Sequence, residues 1–469
     1  MDAMNFPTFG QVNFGGLDLG DARRTARLVA LVDTMTKHPG GTLPDKLSDP
    51  ADLRAFYKLM RRPTVTHAKI MAGHTAATRE KMIACSQAGG VILNLHDATE
   101  LDYTTLKSLA DQLGQIGQGT NVGYICHNSL AVQAEPQRVL GLASQILHHR
   151  ANVPPHETIS QKRGREDRES RLWMQGAEQC GLAPEGCLWV DVSDSLSDTF
   201  EYLAYEINHQ RHFVLRSREN RKLNVPVDSE HYLYEAVRKQ ASVAAYEVVV
   251  QGTAKRKARK ATVQVSFTAV EIAPPGKKLG DYEHEPLAMW AVRVWEPNPP
   301  PGAEALEWIL LTNVPVLEAA GALERVKWYE MRWIVEDLHK GMKTGCGIES
   351  LQFTTIERLE PAIAVLSALA TTLLELRDAA RQPDADVRPA TEVVSSEYVE
   401  VLAGHYGARL GTQPSILKFY LHVARLGGHQ NRKNELPGWL TLWRGWMKLE
   451  SMLVGYRVAR KKTRKCGLT

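Results

Sequence analysis

The stretch Trp328-Tyr329-Glu330-Met331-Arg332-Trp333-Ile334-Val335-Glu336-Asp337-Leu338-His339-Lys340-Gly341-Met342-Lys343 constrains this chain more than any other. At about 100° per residue, Tyr329, Arg332, Glu336, Lys340 and Lys343 fall within an arc of roughly 80°. Met331, Ile334, Leu338 and Met342 take the opposite side, with Trp328 and Val335 on its flank. The segment reads as one helix that buries one face. Its other face gathers a phenol, a guanidinium, a carboxylate and two ammonium groups. That face has two readings. Ordinary i,i+4 pairs, Arg332 with Glu336 or Glu336 with Lys340, would make it a solvated surface. Alternatively, Glu336 holds a divalent metal while the cations hold phosphates.

At 469 residues the chain has room for roughly two to four domains and a sizeable core. Charged residues at 23% and hydrophobic ones at 43% are ordinary for a globular protein. No apolar run of transmembrane length stands out, and residues 1–10 lack a signal-peptide pattern, so a cytoplasmic protein with no membrane partner is expected. Cys85, Cys126, Cys180, Cys187, Cys346 and Cys466 form neither a CxxC pair nor a Cys/His zinc spacing, which implies reduced, mostly buried thiols. The net charge of +4 is modest, but its distribution is uneven. Basic clusters stand at Arg23-Arg24-Thr25-Ala26-Arg27, at residues 255–260, and in the tail, where Arg457, Arg460, Lys461, Lys462, Arg464 and Lys465 follow the last acid, Glu450. Basic patches on several segments suggest a polyanion partner.

Residues 1–82 read as helical. Leu19-Gly20-Asp21 caps a helix toward Met35, Pro39-Gly40-Gly41 breaks it, Asp49-Pro50 starts a second, and a third begins near Thr66. The period then changes. Residues 91–97 read as a buried strand ending at Asp97. Residues 122–132 and 138–142 read as the next strands, joined at Glu135-Pro136. A charged helix is expected over 161–180, a strand over 187–192 ending at Ser193-Asp194, and a helix near Asp198. Residues 212–316 alternate in β-branched positions and read as a mostly β insertion. Helices return from Leu317 to about Arg381. Residues 382–389 look like a linker, and 397–455 are again helical. The expected domains are 1–82, helical; 83–381, α/β with the insertion at about 212–316; and 382–469, helical with a basic tail.

Three acids stand out by position: Asp97 and Asp194 at strand ends, and Glu336 on the late helix. Three strands, a helix, a strand and a late helix is the order of an RNase H-like fold. In that fold such acids converge on two divalent metals for phosphoryl transfer. Other readings stay open. Asp97 can be a turn carboxylate and Asp194 a helix cap, and Asp191 and Asp198 compete with Asp194. Strand alternation puts Asp191 on the face opposite Val190 and Val192.

The motif Tyr329, Arg332, Glu336 and Lys343, with Arg332-Trp333-Ile334-Val335-Glu336-Asp337-Leu338-His339-Lys340-Gly341-Met342-Lys343-Thr344-Gly345 around it, resembles the signature of the DDE transposases of bacterial insertion sequences. The likeness is to the Tn-five-like branch of the IS-four family, and it runs over almost the whole chain. Leu19-Gly20-Asp21-Ala22-Arg23-Arg24-Thr25-Ala26-Arg27-Leu28 resembles the N-terminal DNA-binding domain of that family. The strand to Asp97 and the segment Val192-Ser193-Asp194-Ser195-Leu196-Ser197-Asp198 resemble the strand ends with its two catalytic aspartates, which favours Asp194 over its neighbours. Phe213-Val214-Leu215-Arg216-Ser217-Arg218 resembles a segment whose Arg approaches DNA. Leu306-Glu307-Trp308-Ile309-Leu310-Leu311-Thr312 resembles the strand whose Trp stacks on a flipped base. Ala424-Arg425-Leu426-Gly427-Gly428 and residues 439–446 resemble the dimerisation region. The family's usual Asp-Arg-Glu-Ala-Asp is replaced here by Asp194-Ser195-Leu196-Ser197-Asp198, and His96 precedes Asp97.

The resemblance implies cut-and-paste transposition: 3′-strand nicking, hairpin formation and opening, then strand transfer. It implies Asp97, Asp194 and Glu336 as ligands of two Mg²⁺ ions, with Mn²⁺ as an alternative. It gives phosphate contacts to Tyr329, Arg332, Lys340, Lys343 and Arg216, a grip on the terminal inverted repeats to Arg23, Arg24 and Arg27, and base stacking to Trp308 and Trp333. The implied partners are double-stranded DNA and a second copy of the chain in a synaptic complex, in a bacterial, nucleoid-associated setting. Three other readings remain: a nuclease of the same fold without strand transfer, a decayed or domesticated DNA-end-binding protein, and a zinc-binding regulator.

Overall fold

The N-terminal helices start where their caps stand. In the computed structural model, which describes residues 7–150, 158, 161, 164–250, 258–277, 282–430 and 437–465, α1 is Phe9–Phe14 and α2 is Ala22–Thr36, capped by Asp21. A short α3, Leu43–Lys46, leads to α4, Pro50–Met60, with Asp49 as cap and proline in its first turn. Then α5 spans His67–Gln87, with the Thr66 hydroxyl accepting from the Lys69 amide. A capping oxygen satisfies an amide that the first helical turn leaves unpaired, so these residues fix the register of each helix. Helix α2 buries Leu28, Leu31, Val32 and Met35, a stripe at helical spacing.

One ten-stranded sheet follows. Its strands are β1 Ile92–Asp102, β2 Gly114–Gln115, β3 Val122–Gln133, β4 Arg138–His148, β5 Trp189–Ser193, β6 His212–Arg216, β7 Ala244–Val250, β8 Arg259–Ile272, β9 Leu287–Trp295 and β10 Glu307–Thr312. The order across the sheet is β3-β1-β5-β6-β10-β9-β8-β7, with β2 and β4 both on the outer side of β3. Strands β1, β5 and β6 run parallel and the other pairs antiparallel. Helices α6, Leu172–Cys180, and α7, Phe200–Asn208, lie on either side of β5 in the chain.

Several expectations change here. Strand β1 runs past Asp97 to Asp102, because its pairing with β3 continues to Gly123. Asp97 is therefore mid-strand. The helix expected over 161–180 is interrupted: Gln161 and Gly164 are helical, a short turn follows at Glu169–Arg171, and Leu172–Cys180 forms the next helix, while most of 151–163 lies outside the described residues. The region read as a mostly β insertion continues the same sheet. Strand β6 pairs with β5, and β10, β9, β8 and β7 extend the same sheet outward, with one helix, α8 at Leu233–Arg238, between β6 and β7.

The segment 328–343 is also not one helix. Helix α9, Ala319–Glu330, gives way to a bend at Met331-Arg332, where the bonds tighten to Arg332 N–H on Tyr329 O and Ile334 N–H on Met331 O. Helix α10 is Trp333–Lys340, and a wider π turn, Gly341–Gly345, follows. The buried face is as its pattern requires: Trp328, Met331, Ile334, Val335, Leu338 and Met342 are all buried.

Behind α10 lies α11, Ile356–Ala379. By length and composition it could cross a membrane, contrary to the sequence expectation, but 88% of its apolar window is buried inside the protein. The last helices are α12 Ser396–Tyr406, α13 Ile416–Leu426 and α14 Trp439–Lys465. Helices α13 and α14 meet backbone to backbone. A Cβ on Gly445 would stand 1.8 Å from Val423 O, and one on Gly427 1.8 Å from Thr441 O. The segments read as a dimerisation region thus carry an intrachain crossing, with Trp443 and Trp446 in the core. Residues 382–389 are packed turns rather than a free linker: Ala385 is buried, and its carbonyl accepts from the Leu417 amide.

One buried cation ties the N-terminal helices to the rest. Lys46, 1% exposed, donates from Nζ to the carbonyls of Gly40 (3.2 Å), Gly41 and Cys346 (2.9 Å). Gly347, at φ +62°, lies so close that a Cβ there would meet Gly41 O at 2.7 Å. Residues 40–46 are in this way pinned to the chain just past α10 and its π turn.

Candidate functional site

Successive side chains on a strand point to opposite faces, so His96 and Asp97 are separated by β1 itself. On the Asp97 face, the bend at Met331-Arg332 brings a buried guanidinium to the strand. Arg332 Nη1 donates to Asp97 Oδ2 (3.1 Å) and Nη2 donates to Glu336 Oε1 (2.9 Å). The other oxygen of Asp97 accepts from the Ala98 amide. Asp194 lies one residue past β5 and caps the turn Ser195–Ser197, with Oδ1 accepting from the Leu196 amide. Burial pushes the Asp97 carboxyl up to about 6, with Arg332 opposing the rise and Asp194 and Glu336 adding to it. Burial also raises Asp194, against the Leu196 amide, Arg332 and Arg216. The Tyr329 phenol, raised by burial, feels the charges of Arg332, Arg216 and Asp194.

The structure therefore brings together Asp97, Asp194, Glu336, Tyr329, Arg332 and the exposed Arg216 at the end of β6. Three carboxylates face two guanidinium groups. Of the two helical ion pairs considered, Arg332–Glu336 forms and Glu336–Lys340 does not. Lys340 Nζ instead stands 3.4 Å from Asp337. The π turn carries Lys343 away, to 3.5 Å from Glu349, in a crevice shared with Glu100, Asp102 and Asn121. Trp333 is 60% exposed, with the Arg332 guanidinium 5.1 Å over its ring. Trp308 is half-buried on β10 against the main core.

Both competitors of Asp194 are engaged elsewhere. Asp191 is buried on the opposite face. Its Oδ2 accepts two bonds from Arg211 (3.0 and 2.8 Å), and its Oδ1 is bonded by Asn94 and His96. Against the burial that would raise it, Arg211 and His96 hold Asp191 below the usual carboxylate range. Asp198, buried, accepts from the amides of Arg218 and Glu219 and from the Arg221 guanidinium, which fixes the loop after β6.

The rim offers hard oxygen donors, the ligand type of magnesium and manganese. With Arg332 between Asp97 and Glu336, these carboxylates are not packed as a closed ligand set. Among the described residues, the three-donor group whose atoms all lie within 4.8 Å of one another is His96, Cys180 and Asp191.

On the N-terminal helices the three expected arginines are already partnered. Arg23 pairs with Asp21 (2.9 Å) and Arg27 with Asp52 (3.4 Å). Arg24 Nη1 donates to Leu19 O and Thr64 Oγ1. The sequence reading missed a different group. Arg54, Lys58, Arg61 and Arg62 are exposed along α4 and the turn after it, and make no ion pair with any described residue. Their i, i+4, i+7, i+8 spacing is the legible signal, since it puts four cations on one side of the helix. Residues 255–257 lie outside the described residues, whereas Arg259 pairs with Glu296 and Lys260 with Glu247. In the tail helix, Arg457 pairs with Glu397 and Arg460 approaches Glu400. The side chains of Lys461, Lys462, Arg464 and Lys465 lie outside the description.

Comparison with protein families finds that residues 8–65 match the transposase DNA-binding family. The matched span covers α1 to α4 and holds both sets of N-terminal arginines. It supports a DNA-binding transposase.

Proposed function

We propose that this protein is a DDE transposase of the Tn-five-like, IS-four kind, which moves DNA by metal-dependent phosphoryl transfer. One observation carries the reading. A cluster of Asp97, Asp194 and Glu336 gathers on an open rim around Arg332, in a chain whose residues 8–65 match a transposase DNA-binding domain. The strand order β4-β3-β1-β5-β6, with β1, β5 and β6 parallel, supports an RNase H-like core for it.

Asp97, Asp194 and Glu336 would hold two Mg²⁺ ions, with Mn²⁺ as an alternative. The donor set fits: it is all carboxylate, and burial of Asp97 beside two further acids makes an added cation favourable. Bound there, the ions would activate the attacking oxygen and stabilise the leaving one. Arg332 can exchange a carboxylate for a phosphate oxygen without moving far, since its two Nη groups already face the rim. Arg216 and Tyr329 flank the same phosphate position. Lys340 and Lys343 would meet DNA further from the scissile bond.

In the reaction, water attacks the phosphorus at the transposon end and a 3′-OH leaves. That 3′-OH attacks the opposite strand and forms a hairpin, a second water opens it, and the freed 3′-OH joins the target. Each step exchanges one phosphate–oxygen bond for another, so no Ser or Cys nucleophile is required. Trp333, being exposed, is the better placed of the two tryptophans to receive an extruded base, whose unstacking costs a few kcal/mol. Two DNA ends must be held together for insertion, which calls for two copies of the chain.

The test is incubation with Mg²⁺ and a duplex carrying the terminal repeats that flank the gene, beside the Glu336→Ala variant. Nicking to a 3′-OH followed by a hairpin, in the wild type only, supports the proposal. Cutting without joining to target leaves a nuclease. Binding without cutting leaves a DNA-end-binding protein.

A further inference from the structure

The face of β1 and β5 opposite the carboxylate rim holds a second constellation that the proposed reaction does not use. A ring nitrogen of His96, the Cys180 Sγ and a carboxylate oxygen of Asp191 all lie within 4.8 Å of one another, and all three residues are buried. They come from three elements, β1, α6 and β5. Beside them is His127 of β3, fully buried, with its ring centroid 5.6 Å from that of His96 and neither ring nitrogen hydrogen-bonded. A buried imidazole with no partner for either nitrogen is unusual, because each unmade bond costs about 1–3 kcal/mol.

Supports of the kind that orient metal ligands surround the group. His96 Nδ1 is bonded to Ser129 Oγ (2.9 Å), which leaves Nε2 directed at Asp191 Oδ1 (3.0 Å). The remote oxygen of Asp191 is gripped twice by Arg211, whose Nη1 also donates to Gly181 O, the residue after Cys180. Gly176, one helical turn before Cys180, lets α6 lie directly on the histidines. A Cβ there would stand 2.5 Å from His127 Cε1. Helix α6 thus approaches as closely as its backbone allows and delivers the Cys180 thiol to one imidazole and a carboxylate.

We propose that His96, Cys180 and Asp191, beside the unpartnered His127, form a buried site for a borderline-soft divalent metal of the zinc class. A mixed sulfur, nitrogen and oxygen set suits tetrahedral Zn²⁺ and not Mg²⁺, which keeps octahedral oxygen ligands. Charge can balance inside the core. Cys180 would give its proton to solvent on binding. The thiolate and Asp191 would then offset the two charges of the metal, while the Arg211 guanidinium keeps its bond to Gly181 O. The site is structural: it clamps α6 to β1 and β5 on the face of the sheet opposite Asp97. It was not legible in the sequence, because residues 96, 127, 180 and 191 have no local spacing in common.

The test is metal analysis of the full chain, purified without a histidine tag and dialysed against metal-free buffer. We expect about one zinc per chain in the wild type and in Glu336→Ala, and at least a tenfold loss in Cys180→Ser. Cobalt exchanged into the wild type should show a thiolate-to-cobalt charge-transfer band. That band decides the matter if Cys180→Ser does not fold. Zinc that survives in Cys180→Ser, zinc lost in Glu336→Ala, or no zinc and no cobalt band in the wild type would each overturn the site. None of these readouts depends on DNA cleavage, so this inference and the transposase reading can fail separately.

Discussion

The two faces of the β1–β5 pair put similar residues to opposite uses. On one face Asp191 is sealed, with both oxygens engaged by Arg211, Asn94 and His96. On the other, three carboxylates share Arg332 and the nearby Arg216, and Asp97 is pushed up to about 6. A buried carboxylate held by fixed partners inside the sheet belongs to the fold. A cluster of carboxylates short of cations is poised to take one from outside. His96 and Asp97 are neighbours in the chain, so the pleat of one strand alone separates the two roles.

The largest effects should come from neutralising one acid on each face. Asp191→Asn leaves the Arg211 guanidinium buried without its partner, which typically costs about 3–5 kcal/mol. Urea unfolding should show that loss, and cleavage should fall only as far as the folded population falls. Asp97→Asn should do the reverse: metal-dependent cleavage drops by roughly a thousandfold or more, while stability changes by less than about 1 kcal/mol, because Arg332 retains Glu336. If both variants lose stability equally, the distinction between the faces is wrong.

Next in size is a pH effect on the junction between the N-terminal helices and the sheet. His74 of α5 is fully buried as the neutral ring. Its Nε2 accepts from the Leu142 amide of β4, so Nδ1 carries the proton and donates to Asn13 Oδ1 in α1. Burial drives its pKa from 6.5 down to about 3. Because the folded value is depressed, the ring's contribution is complete above pH 6.5 and drains away as pH falls toward 3. Between pH 7 and 4 this amounts to about 3 kcal/mol. His74→Gln should start less stable at pH 7 and lose less on acidification. Equal pH slopes for the two proteins would remove His74 from the account.

A smaller loss is expected at Lys46. Lys46→Met leaves the carbonyls of Gly40, Gly41 and Cys346 without their donor, at about 2 kcal/mol. The Lys46→Arg guanidinium is too large for a pocket this closed, so it should not rescue. Limited proteolysis would detect the effect as faster cutting near residue 40.

These positions also show what the sequence could and could not reveal. Caps at Asp21, Asp49-Pro50 and Thr66 were legible because helix starts are set by local hydrogen bonding. The buried side of 328–343 was legible because burial follows helical period. The bend at Met331-Arg332 was not, since the pull on Arg332 comes from Asp97, far away in sequence. The separation of Lys343 from Glu336 follows from the π turn, which the 100° wheel assumed away. The outer strands alternated as expected, but alternation does not name a pairing partner, so their place as an extension of the core sheet was not legible. Lys46 and His127 carry no pattern, because a buried polar residue is defined only by what folds around it.

The smallest effects lie on the N-terminal helices, where two sets of cations compete for the same role. Arg23 and Arg27 already pair with acids, and Arg24 is held by Leu19 O and Thr64. Arg54, Lys58, Arg61 and Arg62 are exposed and make no ion pair with any described residue, so meeting a phosphate breaks no existing contact. Each cation that neutralises a phosphate contributes about 0.9 to the slope of log affinity against log salt. Replacing Lys58 by Ala should therefore lower the slope by about 1, with a several-fold loss of binding at moderate salt. Replacing Arg23 should change the slope by less, because its charge is already paired with Asp21 (2.9 Å) and neutralises a phosphate less fully. Replacing Arg24 should act through stability rather than salt dependence, since its bonds to Leu19 and Thr64 hold the helices together. A slope that follows Arg23 and Arg27 and ignores Lys58 would return the DNA-binding role to α2.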